Sequence, residues 1–186
     1  MLRTLRSPTP SARPTASVFR VLALLALGAL TPLTAQPFPT PPPPLELFTL
    51  RAGEPWNISR DRLDTLDGRV GCRASLDPRI TECHGTVSLP LSPVPFDLVV
   101  SLVSNRTAII LLSGRASHEV ISSWITDLGA RHGQPTVRSA QGQQTWQWIR
   151  HRQMLRLTTR AGQGQPEVAL SLIDGPLLDG LDGPRR

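Results

Sequence analysis

The chemistry-bearing residues that stand closest together in this sequence are two tryptophans and a group of arginines in its second half. Residues 145–152 have the sequence TWQWIRHR, and strand alternation would place both tryptophans and the first arginine on one face. A following strand that pairs back would bring further arginines close. Tryptophan with arginine is typical of protein interfaces and of platforms on which sugars or bases stack. The candidate binding residues are Trp146, Trp148, Arg150, Arg152 and Arg156.

The same tryptophans also have a purely structural interpretation, in which they face inward as core residues. The whole chain has four tryptophans, four phenylalanines and no tyrosine, so large aromatic side chains are scarce. The arginines would then lie at the rim, with their aliphatic stems along the apolar surface. The two interpretations differ in whether Trp146 and Trp148 face solvent or the core.

Catalytic patterns are weak throughout the chain. The absence of lysine and tyrosine excludes Schiff-base chemistry, a phosphate-binding Walker lysine and a phenolic acid or nucleophile. No GxSxG nucleophile elbow is present, and the four histidines show no HxxxH or HExxH spacing. We therefore expect no cofactor and no metal site, and favour a protein without catalytic activity. The alternative is a small hydrolase acting on cell-wall or polysaccharide material through a pair of acids.

Cys72 and Cys83 are the two cysteines of the chain. An even pair in an exported protein predicts a disulfide, here closing a loop of about 12 residues. The turn signal Asp77-Pro78 lies between them and indicates a hairpin. Depending on where the hairpin is centred, the two cysteines are directly opposite or diagonal neighbours.

The N-terminal region has the three parts of a secretory signal peptide. Residues 1–20 carry four arginines and no acid, residues 21–30 (VLALLALGAL) form a short apolar core, and cleavage is expected after Ala35. Ten apolar residues are too few for a stable membrane anchor, since a span needs about 20. We expect an exported protein, periplasmic or extracellular, with a signal peptide over residues 1–35 and a proline-rich linker over residues 36–45.

The charge of the mature chain is small. After residue 35, sixteen arginines stand against fourteen acids, which leaves a net charge of +2. Nucleic-acid binding needs clustered basic charge on the folded domain, and the overall balance does not supply it. The sequence therefore predicts no nucleic-acid partner.

Residues 46–181 have the size and patterning of a single α+β domain, followed by a frayed tail over residues 182–186. Runs of apolar, β-branched residues separated by turn signals predict antiparallel sheet built of hairpins. One main amphipathic helix is expected over residues 117–131 and a short helix over residues 59–67, both packed against the sheet.

These observations together favour a secreted or periplasmic binding module without catalytic activity. Its partner would be a protein or another component of the cell envelope, engaged through the sheet face that bears tryptophan and arginine. The order helix, strands, helix, strands also suggests a weak duplication of one helix-plus-sheet unit.

Overall fold

A computed structural model of the chain describes residues 43–181. The predicted signal peptide (1–35) and tail (182–186) lie outside the described residues, as does all of the predicted linker except residues 43–45. The predicted export therefore stays a prediction.

The centre of the fold is one eight-stranded antiparallel sheet, with three helices among the described residues, so the α+β class is confirmed. Neighbouring strands are joined mostly by short turns, because paired residues with a positive φ, such as Ser104 and Asn105, reverse the chain within two positions. The strands are β1 (Arg69–Ala74), β2 (Ile80–Val87), β3 (Phe96–Val103), β4 (Arg106–Arg115), β5 (Thr136–Ala140), β6 (Gln143–Arg150), β7 (Gln153–Arg160) and β8 (Glu167–Asp174).

The sheet consists of two four-stranded meanders joined edge to edge. The strand order is β1-β2-β3-β4-β8-β7-β6-β5, so β4 and β8 form the central pair and β1 and β5 the outer edges. Each meander is preceded by a helix, α1 (Trp56–Asp64) before β1 and α2 (His118–His132) before β5. The element order therefore repeats a helix-plus-four-strand unit.

The helix ends differ from the predicted ones for local reasons. The first helix begins at Trp56 rather than Ser59, because the hydroxyl of Ser59 is buried and bonds that of Thr107 at 2.7 Å instead of capping the helix. The second helix is capped by Ser117, whose side chain accepts a hydrogen bond from Val120 N–H. A third helix, α3 (Gly175–Asp179), was not predicted and is capped by Asp174.

The two faces of the sheet have different environments. On one face of the sheet, every second side chain of a strand points into a core that also contains Leu63 of α1 and Leu128 of α2. We call this the inner face and the opposite one, whose side chains are mostly half-buried or exposed, the outer face. On the four central strands the buried inner-face residues include Phe96, Leu98, Val100, Ile110, Leu112, Leu155, Leu157, Leu170 and Leu172.

The chain joins the core earlier than its proline-rich composition indicates. Leu45, at the end of the predicted linker, is buried, and its amide hydrogen-bonds the side chain of Gln153. Leu47 and Leu50 form a small β-bridge and are also buried. Residues 45–52 therefore belong to the folded domain.

The predicted disulfide is present. Cys72 and Cys83 are bonded and stand directly opposite each other in the β1–β2 ladder, with a Cα–Cα distance of 3.9 Å. The symmetric centring of the hairpin is thus the one that the protein adopts. Because most of the side chains of edge strand β1 are exposed, this covalent link adds to the backbone pairing with β2 in attaching that strand to the sheet.

Candidate binding site

The predicted tryptophans share one face of β6, and it is the inner one. Trp148 is 3% exposed, and its indole N–H donates to the carbonyl of Gly133 at 2.8 Å. Trp146 is half-buried at the border of the core. Trp148 is therefore a core residue, and any ligand contact by a tryptophan of this strand falls to Trp146.

Two of the predicted arginines are engaged by the fold itself. The guanidinium of Arg150 donates to the carbonyls of Pro43 and His132, at 2.8 and 3.2 Å, and so fixes the N-terminal segment against the end of α2. Arg152 lies in the β6–β7 turn and forms an ion pair with Asp179 of α3. The five predicted residues do not form one surface.

Arg156 lies on the outer face, where it borders a shallow groove along β6. The outward side chains of β6 form the floor, while Arg138 of β5 and Arg156 of β7 stand on either side. The groove has a volume of about 310 Å³. We call it the β6 groove; its lining residues are Arg138, Ala140, Gln141, Gln143, Thr145, Gln147 and Arg156.

The guanidinium of Arg156 lacks strong acceptors in the fold. Its Nε is buried and has no hydrogen-bond partner among the described residues, and its Nη2 contacts the sulfur of Met154 at 3.4 Å. A thioether sulfur is a weak acceptor, and an unsatisfied buried donor is costly. A carboxylate, sulfate or phosphate in the groove would offer the Nη groups of Arg156 a stronger acceptor than the sulfur.

The strands that form the β6 groove, β5, β6 and β7, carry no acidic side chain. Residues 128–166 include six arginines and two histidines but no aspartate or glutamate. Among the described residues, Arg138, Arg156 and Arg160 form no ion pair, whereas Glu167 at the border of this stretch is paired with Arg115 at 3.7 Å. The half of the outer face formed by β5, β6 and β7 is therefore positively charged.

The sequence contained a signal for this surface that the predicted site did not use. Although the net charge of the mature chain is only +2, the segment 128–166 contains six arginines and no acid. Arg138 was missed because it precedes the tryptophans and belongs to a separate strand. Strand alternation places it with Arg156 once the β5–β6 register is known.

A second, acidic cluster is explained by the fold. Asp174 and Glu54 border a cleft near the start of α3, as a two-carboxylate hydrolase site would require. One carboxylate oxygen of Asp174 caps α3 and the other accepts from Gln153. Glu54 is paired with Arg62 at 3.1 Å. Both acids thus have structural partners, although Oε2 of Glu54 is buried without a hydrogen-bond partner among the described residues.

His132 is a buried histidine whose pKa is shifted by its surroundings in the fold. Burial lowers its pKa, opposed by the hydrogen bond of its Nε2 to the carbonyl of Glu46 at 2.7 Å. Its position at the end of α2, behind the inner face, gives it a structural role. Within residues 43–181, no three histidine, cysteine or acidic side chains are grouped as metal ligands.

Two further findings bear on the class of protein. In the part of the chain that the structure describes, no helix has the length and apolarity needed to cross a membrane. Comparisons with protein-family models, with curated protein sequences and with solved structures gave no match to this chain.

Proposed function

We propose that this protein is a binding module without catalytic activity that works outside the cytoplasm and binds an anionic polysaccharide through the β6 groove. The observation that carries the proposal is Arg156, whose guanidinium lies beside a groove with a buried, unpartnered Nε. The lining of the groove contains two arginines and no acid, which favours an anionic ligand over a neutral one.

The polar floor of the groove favours a polysaccharide among the anionic polymers. Gln143, Thr145 and Gln147 offer amide and hydroxyl groups that can both donate and accept hydrogen bonds. Arg138 and Arg156 stand on the strands that flank β6, opposite Thr145 and Gln147, and their Cα atoms are about 12 Å apart from two strand spacings and a two-residue offset. This combination suits a chain in which hydroxyl groups alternate with carboxylate or sulfate groups.

A location outside the cytoplasm is proposed on two grounds. The basic, apolar and small-residue parts of residues 1–35 have the pattern of a secretory signal. The disulfide between Cys72 and Cys83 indicates an oxidising environment. Envelope polysaccharides that carry acidic groups are accessible to a protein in that location.

The experiment measures binding of the domain to dextran sulfate and polygalacturonate, with neutral dextran as the reference polymer. The double variant R138Q/R156Q should bind both polyanions at least tenfold more weakly, because each charge-assisted hydrogen bond contributes about 1.5–3 kcal/mol. The matched control is R69Q/R73Q, which removes the same charge from edge strand β1 on the same face of the sheet. It should retain binding.

The outcome can contradict the proposal in several ways. Equal loss in R138Q/R156Q and R69Q/R73Q would mean that net charge alone drives the association. If the domain bound neutral dextran as tightly as the two polyanions, the charges of the arginines would have no role in binding. Tighter binding to single-stranded DNA or to anionic phospholipid vesicles than to either polysaccharide would assign the groove to another ligand class. Circular dichroism and thermal melting verify that the variants are folded.

A further inference from the structure

A second concave site lies on the inner face, between α2 and the β5–β6 hairpin. One side of α2 forms a wall, and the ends of β5, β6 and β7 form the floor, enclosing about 590 Å³. This volume is in the range of small-molecule sites. We call it the α2 cleft; its lining includes Ile121, Ser122 and Ile125 of α2 and Ser139, Gln144 and Trp146 of the hairpin.

Trp146 provides the aromatic surface of the α2 cleft. Its indole N–H has no hydrogen-bond partner among the described residues and is not among their buried unpaired groups, so the N–H is accessible. By contrast, the indoles of Trp124 and Trp148 donate to backbone carbonyls at 2.9 and 2.8 Å. Trp146 therefore combines a half-buried ring with a free donor at a cleft, which the packing of the core does not require.

Apart from His118 and Arg160, the remaining lining consists of apolar and neutral polar groups. Ile121 and Ile125, one helical turn apart on α2, form the apolar wall beside the indole. Ser122, Ser139 and Gln144 are exposed and supply hydroxyl and amide groups. No acid lines the cleft. Its ligand should have an apolar surface and several neutral groups that donate and accept hydrogen bonds.

We propose that the α2 cleft binds a neutral saccharide ring. One face of a pyranose is lined by C–H groups and would stack on the indole of Trp146, while its hydroxyls would bond Gln144 and the two serines. A ring oxygen or hydroxyl of the sugar would accept a hydrogen bond from the free indole N–H. The side chains of Gln144 and the two serines can both donate and accept hydrogen bonds, as sugar hydroxyls can, whereas the indole N–H only donates.

The α2 cleft and the β6 groove can be tested independently. They lie on opposite sides of the β5–β6 hairpin, and both are bordered by Ala140, Gln141 and Gln143 at its turn. Neutral trisaccharides carry no charge for Arg138 or Arg156, so their binding does not depend on the function proposed for the groove. The variant R138Q/R156Q should bind them as the parent does.

The probes are maltotriose, cellotriose and chitotriose, titrated against the whole domain by calorimetry and by tryptophan fluorescence. At least one should bind at millimolar concentration. W146L, which keeps an apolar side chain but removes the ring and its N–H, should weaken that binding at least tenfold. Q144A, at an exposed position, should weaken it severalfold and tests the site without touching the core. The matched control is W56L, since Trp56 is also half-buried but lies on α1.

Three results would overturn the assignment. If none of the three sugars bound the folded parent protein, a saccharide would be excluded as the ligand of the α2 cleft. Equal binding by parent, W146L and Q144A would place the sugar elsewhere. Tighter binding of adenosine than of any trisaccharide would identify a site for flat aromatic rings instead.

Discussion

Replacement of Trp148 by alanine should destabilise the domain without acting on any binding surface. The side chain is 3% exposed and packs on the inner face, so folding removes nearly all of its area from water. A buried tryptophan covers about 150–250 Å², which at about 25 cal/mol per Å² corresponds to about 4–6 kcal/mol. Measured Trp-to-Ala costs of about 3–5 kcal/mol agree. We expect a loss of about 4 kcal/mol, a large part of the 5–15 kcal/mol typical of a domain.

The assay is equilibrium unfolding in urea, followed by circular dichroism. The neighbouring residue supplies the control, because Ile149 is 69% exposed on the outer face of the same strand. Its replacement by alanine should change the free energy of unfolding by no more than about 0.5 kcal/mol. A cost below about 1 kcal/mol for W148A, or an equal cost for both variants, would refute the assignment of the two faces of β6.

Two further predictions concern stability. The double variant C72S/C83S should lower the free energy of unfolding by about 3 kcal/mol, the chain-entropy value for a loop of this length; in urea unfolding, an unchanged midpoint would show that β1 is held by its other contacts. Burial lowers the pKa of His132 in the folded state, so the unfolded state binds the proton more tightly. The contribution of His132 to stability should therefore be complete above about pH 6.5. Below that pH the free energy of unfolding should fall, with a slope of at most about 1.4 kcal/mol per pH unit. The variant H132Q, which can still bond the Glu46 carbonyl, should lack this component, and a parallel pH dependence in both proteins would contradict the prediction.

The local structure was predictable where the cause is local. The hairpin that carries the disulfide follows from the turn signal at Asp77-Pro78 and the spacing of the cysteines, and the cap at Ser117 follows from its residue type. The third helix was missed because the aspartate–glycine pairs after β8 resemble turns. Asp174 instead uses its carboxylate to cap that helix.

The parts of the fold that depend on distant contacts were not predictable. Nothing near Leu112 or Leu170 in the sequence indicates that β4 and β8 are partners, since pairing is decided by the packing of the whole sheet. The same holds for the face of β6. Alternation correctly groups Trp146 with Trp148, but which face the helices cover is a property of the assembled domain.

The central β4–β8 pair has a consequence for the newly made chain. When β4 has emerged, its free edge carries the apolar run from Ala108 to Leu112, and its partner follows only after α2, β5, β6 and β7 have been made. An exposed apolar strand edge is a template for aggregation. A first meander that formed alone would expose this edge, whereas folding that begins once all eight strands are present would pair it at once.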